Sequence, residues 1–211
     1  MDYQSNQSST FALSKALSWI LRHGAVKFSL DMTSDGYVLW SDINKLQRFQ
    51  QYTLDEVRHV VKTNDKQRFT LKEEDGKVYI RANQGHSNKV AANINQEELL
   101  TKLDKPLPMI VHGTTFTAYK SIRNSGLKKM GRSHVHFAIS DDIKTGNEQQ
   151  SGIRSNCQVL IYLDMAKAMA DGLEFFISDN KVVLCQGIGN DGLIDKKYFL
   201  KVINRANGQP V

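Results

Sequence analysis

The stretch Arg68–Ala82, RFTLKEEDGKVYIRA, decides the first half of the fold. Two runs of alternating apolar and polar residues flank Asp75-Gly76, a dipeptide suited to a two-residue hairpin turn. Working back from it, Thr53-Leu54-Asp55-Glu56 is a capping-box pattern. It opens a helix with Leu54, Val57, Val60 and Val61 inward. Earlier, Ser34-Asp35-Gly36 marks a turn, a short strand follows over Tyr37–Trp40, and Ser41 reads as the N-cap of a short helix reaching Leu46. At the front, Leu13, Ala16, Leu17, Ile20 and Leu21 form one stripe at helical spacing. That stripe predicts a helix from about Thr10 to Gly24. Three short helices followed by a hairpin form a winged-helix-like unit. Such units often bind nucleic acid, but the fold by itself does not establish it.

Working forward, residues 83–98 (NQGHSNKVAANINQEE) are polar and weakly patterned, and read as a linker or connecting segment. Met109–His112 reads as a strand end, Gly113-Thr114-Thr115 as a turn, and Phe116–Ser125 as a helix stopped by Gly126. Strands are expected at Val135–Ile139, Val159–Leu163, Leu173–Ile177, Val182–Gln186 and Lys197–Ile203. A short helix is expected at Met165–Ala170, and a loop or weak helix over 141–152. The class expected is α+β, with residues 1–98 and 99–211 as separate lobes. No internal repeat is visible.

The composition narrows the function. The chain has 211 residues, 40% hydrophobic and 24% charged, which fits an ordinary globular protein and excludes a disordered chain. Two cysteines exclude a disulfide scaffold and argue against a cysteine-built metal site. The polar start is no signal peptide, and the longest apolar stretch, VLIYL at Val159–Leu163, is far too short for a membrane span. The expectation is therefore a cytoplasmic, monomeric protein with no membrane partner. The net charge is +6. Residues 1–98 hold 13 Lys/Arg against 12 Asp/Glu, and residues 99–211 hold 15 against 10, so the excess lies in the second half. A basic surface favours a polyanionic partner, though weakly.

Several residues are candidates for chemistry. Arg22-His23 sits at a helix end, where cations commonly do no more than offset the helix dipole. A guanidinium beside an imidazole can also clamp an oxyanion and move a proton. Arg68 opens the hairpin and Arg154 lies in a loop before a strand; each alone reads as an ordinary surface arginine. His112-Gly113-Thr114 lies at a strand-to-helix corner, a plausible nucleotide site where Gly permits close approach of a ligand and His donates to a ribose hydroxyl or phosphate. In Arg132-Ser133-His134-Val135-His136, alternation puts both histidines on one face. A metal there is unfavoured, because no Cys, Asp or Glu nearby completes the set. Lys128, Lys129 and Arg132 form a basic loop that can attract RNA or a pyrophosphate. No Walker loop, GxGxxG, HExxH or GxSxG is present.

Taken in order, these segments resemble the NAD-dependent RNA (tRNA) 2′-phosphotransferase family. The resemblance rests on LSKALS running into LRH (Leu13–His23), Asp35-Gly36-Tyr37-Val38, Arg68-Phe69, Val111-His112-Gly113-Thr114, RSHVHFA (Arg132–Ala138), Arg154, VLIYLD, and Asp171-Gly172 through Gly187. It implies an N-terminal winged-helix lobe that binds RNA and a C-terminal ADP-ribosyltransferase-like lobe that takes NAD+ as co-substrate, with no metal. It implies Arg22, His23, Arg68 and Arg154 as the catalytic set, gathered in a cleft between the lobes. It implies His112 as the transferase-lobe histidine, with His136 where related transferases carry tyrosine; Gly113, Thr114 and Arg132 complete the expected NAD-binding set. The implied reaction removes an internal RNA 2′-phosphate of the splice-junction type in two steps. An ADP-ribosylated 2′-phosphate is the intermediate, and 2′-OH RNA, nicotinamide and ADP-ribose 1″,2″-cyclic phosphate are the products. Later, many ADP-ribosyltransferases carry a glutamate where this chain has Asn180-Lys181-Val182-Val183, and the family's usual Gly after the Asn is Lys181 here. Two other classes compete: an ADP-ribosyltransferase with a different acceptor, which would not need the arginines, and a non-enzymatic winged-helix nucleic-acid binder.

Overall fold

The computed structural model describes residues 2–139 and 151–211, so most of the loop expected over 141–152 lies outside the described residues. The chain divides into two compact units, Met1–Leu99 and Leu100–Val211.

In the first unit, helix α1 spans Asp2–Trp19 and runs on into a single π-helical turn, Ile20–Gly24. The helix starts earlier than expected because its first turns carry no apolar stripe for periodicity to detect. Leu13, Leu17, Ile20 and Leu21 enter one core with Val38, Trp40, Ile43, Phe49, Val57, Val60, Phe69 and Ile80. Strand β1 is Val38–Leu39 and α2 is Trp40–Asn44, so Leu39, not Ser41, is the N-cap, and no side chain caps the helix. Trp40 drives that shift: its ring is buried edge-on to Phe49 at 6.4 Å, so the helix begins where the indole must point inward. Helix α3, Leu54–Thr63, has the full capping box: Glu56 N–H donates to Thr53 Oγ1 at 3.2 Å, and Thr53 N–H donates to Glu56 Oε2 at 2.7 Å. Strands β2, Phe69–Glu74, and β3, Lys77–Ala82, form the hairpin, with φ of 50° at Asp75 and 71° at Gly76. Strand β1 pairs with the other edge of β3.

Residues 83–98 are not a loose tether. They hold two short helices, α4 (Asn88–Ala91) and α5 (Gln96–Leu99), and bury Asn83, His86 and Val90 within the first unit.

The second unit adds β4 (Thr101–Lys102), β5 (Ile110–Thr114), α6 (Phe116–Ser125), β6 (Leu127–Lys128) and β7 (Val135–Ile139). Then follow β8 (Val159–Leu163), α7 (Met165–Ala170), β9 (Phe175–Ile177), β10 (Val183–Cys185), β11 (Leu193–Ile194) and β12 (Phe199–Asn204). Seven strands form one antiparallel sheet in the order β12-β8-β5-β7-β10-β9-β4, and β11 pairs with β6. One face of the large sheet packs Ile110, Val135, Phe137, Ile161, Phe175 and Val183 on Met165 and Ala168 of α7. On the other, Val111, Ala138, Leu160 and Tyr162 are covered by Ile153 and Cys157. Both cysteines are free and buried, and burial raises the Cys185 thiol to about 11. Among the described residues, no helix is long and apolar enough to cross a membrane.

Candidate active site

In the first unit the π-helical turn displays Arg22, half-buried, and His23, exposed, while Ile20, Leu21 and Gly24 face the core. Single π turns concentrate at functional sites. The Arg22 carbonyl, one of the acceptors a helix end leaves unsatisfied, takes the Ser87 N–H at 2.9 Å. Gly85, at φ 86°, lies under the Arg22 side chain: a Cβ there would stand 3.5 Å from Nε. Arg68 is gripped twice. Asn64 Oδ1 accepts both its backbone N–H and its Nη1, each at 3.1 Å, while Asn64 Nδ2 donates to Ser14 on α1 at 3.2 Å. Asn83 N–H donates to the Arg68 carbonyl at 2.9 Å, and Asn83 Nδ2 to the Gln67 carbonyl at 2.8 Å. Partial burial lowers the Arg68 proton affinity, partly offset by Asp65. The five residues Asn83–Ser87 thus anchor the backbones of both arginines, which lie 46 positions apart (68 − 22). Periodicity alone predicts only a linker there. The sole hint was a glycine and a histidine inside a polar run.

The second unit contains a split in its sheet. The β5–β7 ladder has two registered pairs, Ile110↔Ile139 and Val111↔Ala138. Beyond them β5 stays with β8 as far as Thr114↔Val159, while β7 follows β10 through Val135–Phe137. The His112 ring lies at the mouth of that split, 5.9 Å from the Phe137 ring, and its Nδ1 meets the His136 carbonyl at 2.9 Å. A carbonyl can only accept, so Nδ1 carries the proton. Burial lowers the His112 proton affinity; the carbonyl bond opposes this, and the charges of Arg154 and then Arg132 lower it further. A neutral imidazole protonated at Nδ1 offers Nε2 as an acceptor. With Nδ1 committed to the His136 carbonyl, Nε2 is the ring nitrogen left to face a ligand.

Arg132 is half-buried and Arg154 exposed, and burial followed by the nearby Arg154 charge lowers the Arg132 proton affinity. Among the described residues neither pairs with a carboxylate. Each of these charges is felt by the other or by His112, so the three groups lie within electrostatic reach of one another. His112, Arg132 and Arg154 are therefore brought together. His136 joins them through its carbonyl, since its side chain alternates to the opposite face from Val135 and Phe137.

Gly113 and Thr114 are strand residues, not the turn expected: β5 keeps its pairing with β8 to its end. Thr114 is buried, and its carbonyl accepts from Gln158 N–H at 2.7 Å. The space a Cβ would fill at Gly113 is taken by Ile153 and Cys157, at 2.8 and 3.1 Å. That glycine lets the Arg154 loop lie flat on the sheet. His134 is buried against Phe176, with Nδ1 2.8 Å from Ser133 Oγ, and burial with the Lys129 charge lowers it to about 4. Among the described residues, no three His, Cys, Asp or Glu side chains gather in a metal-holding group.

Residues 8–187 match the family described as RNA 2′-phosphotransferase, Tpt1 / KptA family. The chain belongs to this family. It is 41% identical over 93% of its length to tRNA 2′-phosphotransferase 1 of Danio rerio, covering 86% of that protein. It is 42% identical over 90% of its length to the Homo sapiens protein of the same name, covering 74% of it. A bacterial relative, the probable RNA 2′-phosphotransferase of Rhizobium johnstonii, is 34% identical over 83% of this chain and 89% of its own. All the candidate residues from Arg22 to Arg154 fall inside the matched RNA 2′-phosphotransferase span. So does Lys181, which holds φ at 61° where the resemblance expects glycine: the left-handed turn is kept without the residue that favours it.

Proposed function

We propose that this chain removes an internal RNA 2′-phosphate by transferring it to NAD+ as co-substrate. The first unit acts as a winged-helix-like RNA-binding lobe and the second as an ADP-ribosyltransferase-like lobe. Support comes first from the split between β5 and β7. A neutral His112 acceptor there stands beside two guanidinium groups that have no carboxylate partner among the described residues. A hydroxyl-bearing sugar linked to an anion is the ligand chemistry these groups fit.

A phosphate monoester carries nearly two charges at neutral pH and needs several donors. Arg22, Arg68 and Arg154 supply forked, charge-assisted hydrogen bonds and fix the direction of attack. In the first step a 2′-phosphate oxygen bonds to the ribose carbon of NAD+ that carries nicotinamide. The carbon–nitrogen bond breaks, and its electron pair leaves with nicotinamide. In the second the adjacent ribose 2″-oxygen attacks phosphorus, loses its proton, and the bond to RNA O2′ breaks as that oxygen is protonated. Guanidinium groups stabilise the charge that develops on phosphorus, and His23 moves the proton. The products are 2′-OH RNA, nicotinamide and ADP-ribose 1″,2″-cyclic phosphate.

The reaction calls on groups of each unit. Single alanine variants of Arg22, His23, Arg68 and Arg154 test it on a short 2′-phosphorylated RNA with NAD+. Each arginine variant should lose about 10²-fold or more in turnover, and a variant that accumulates ADP-ribosylated RNA identifies a second-step residue. Wild-type turnover in all four would overturn the assignment.

A further inference from the structure

We propose that the exposed edge of α1, running Phe11–Lys15–Trp19, together with His23 of the π turn and Phe28 beyond it, forms a track for the single-stranded RNA flanking the 2′-phosphate. The identity of the occupant rests on the proposed function. Phe11, Lys15 and Trp19 recur every fourth residue, so they share one edge of α1, and His23 follows four residues on in the π turn. All are exposed: Phe11 at 72% and Trp19 at 38%, with Lys15 and His23 open to solvent; Phe28, at 42%, lies beyond the π turn. The two central rings hold each other in place. Trp19 and Phe28 meet edge to face, with centroids 6.0 Å apart and planes at 76°. The indole also lies back over Gly24, where a Cβ would stand 2.8 Å from Cζ3. Lys27 Nζ lies 5.9 Å from the Phe28 centroid.

The charge selects the partner. Residues 3–30 contain Lys15, Arg22, His23 and Lys27 and not one Asp or Glu. Exposed aromatic rings interleaved with cations suit stacked bases joined by phosphates. From Phe11 to His23 the helix covers about 18 Å at about 1.5 Å per residue. That is the length of about five stacked nucleotides at about 3.4 Å each. The track ends at His23, the residue assigned to proton movement, so RNA lying along α1 is delivered to the chemistry.

The test uses the whole chain with an unmodified RNA pentanucleotide and no NAD+, and then a 2′-phosphorylated one with NAD+. Unmodified RNA should quench the tryptophan fluorescence, because Trp19 is exposed while Trp40 is buried. W19F should abolish the quenching yet keep affinity within about threefold, since phenylalanine still stacks. W19A and F28A should each weaken RNA binding about 5- to 100-fold. They should raise KM for the 2′-phosphorylated RNA to match, leaving KM for NAD+ and kcat at saturation within about twofold. RNA affinity unchanged in both W19A and F28A would overturn the track, and so would variants that alter only self-association in light scattering. If wild-type chain turns over 2′-phosphorylated RNA while these variants keep their affinity, the track falls and the proposed function stands. If it turns over none, that function falls, while the quenching experiment still decides the track.

Discussion

Gly113→Ala probes how the second unit places Arg154. A Cβ at Gly113 would lie 2.8 Å from Ile153 Cγ2, and 3.1 and 3.2 Å from Cys157 Sγ and Cβ. Ordinary carbon contacts sit at about 3.5–4.0 Å, so Ile153 must retreat by about 0.7 Å. Little room exists for that: Ile153 and Cys157 are buried against Val111, Ala138, Leu160 and Tyr162. On the far side of the loop a Cβ at Gly152 would stand 2.9 Å from the Phe137 carbonyl, so the loop backbone already rests on β7. Overpacking of this kind costs about 1–3 kcal/mol. For a unit of roughly a hundred residues that lowers Tm by about 4 °C or more. Because Arg154 follows Ile153 directly, kcat/KM should fall about tenfold or more alongside, as expected when a positioning element shifts. Ile153→Ala removes the clashing methyl, so the double variant should be more stable than the two single effects predict by about 1 kcal/mol or more. Ile153→Val keeps both γ-carbons and should give no such rescue. Denaturant unfolding of wild type, the three single variants and the two double variants with Gly113→Ala reads the coupling, and product formation reads the loop. Gly113→Ala with wild-type stability and no coupling to Ile153→Ala would refute the packing role.

Three further outcomes follow from the geometry. His134 is depressed from 6.5 to about 4 in the folded chain, so between those values the unfolded chain takes up a proton that the native one refuses. Stability should fall as pH drops from about 6.5 towards 4, by at most about 3 kcal/mol from this residue; His134→Gln should flatten that slope in urea titrations. Asn64→Ala removes the acceptor that holds the Arg68 backbone and guanidinium. It should cost about 1–3 kcal/mol in unfolding free energy and lower kcat/KM, whereas Asn64→Asp, which keeps the acceptor, should recover most of the activity. Lys181→Gly should raise stability by about 0.5–1 kcal/mol in thermal unfolding, because φ is 61° and lysine carries a Cβ penalty there.

Local signals in the sequence carried much of the architecture. The hairpin around Asp75-Gly76, the capping box at Thr53, and the elements Phe116–Ser125, Val159–Leu163 and Met165–Ala170 all appear where turn chemistry and periodicity put them. What escaped was set by tertiary contact. The pull of the core on Trp40 moves a helix start by two residues. The π turn under Arg22 leaves no mark in a 3.6-residue pattern. Asn64, Asn83 and Gly85 support the arginines from polar, aperiodic segments. The partner of His112 is a carbonyl on a strand 24 residues away, a pairing no short window can contain. The sequence marks Gly113 as a position of close approach, but the neighbour it makes room for is the Arg154 loop. The residues proposed for phosphate chemistry were legible only as a set ordered along the chain, since each alone is an unremarkable surface side chain.

Mass spectrometry of the products from NAD+ and a 2′-phosphorylated oligonucleotide tests the central claim most directly. The account predicts RNA lighter by one phosphoryl group, with nicotinamide and ADP-ribose cyclic phosphate in equal amounts and no turnover when NAD+ is withheld. Free inorganic phosphate released without NAD+, or RNA that ends as a stable ADP-ribosylated product, would contradict it.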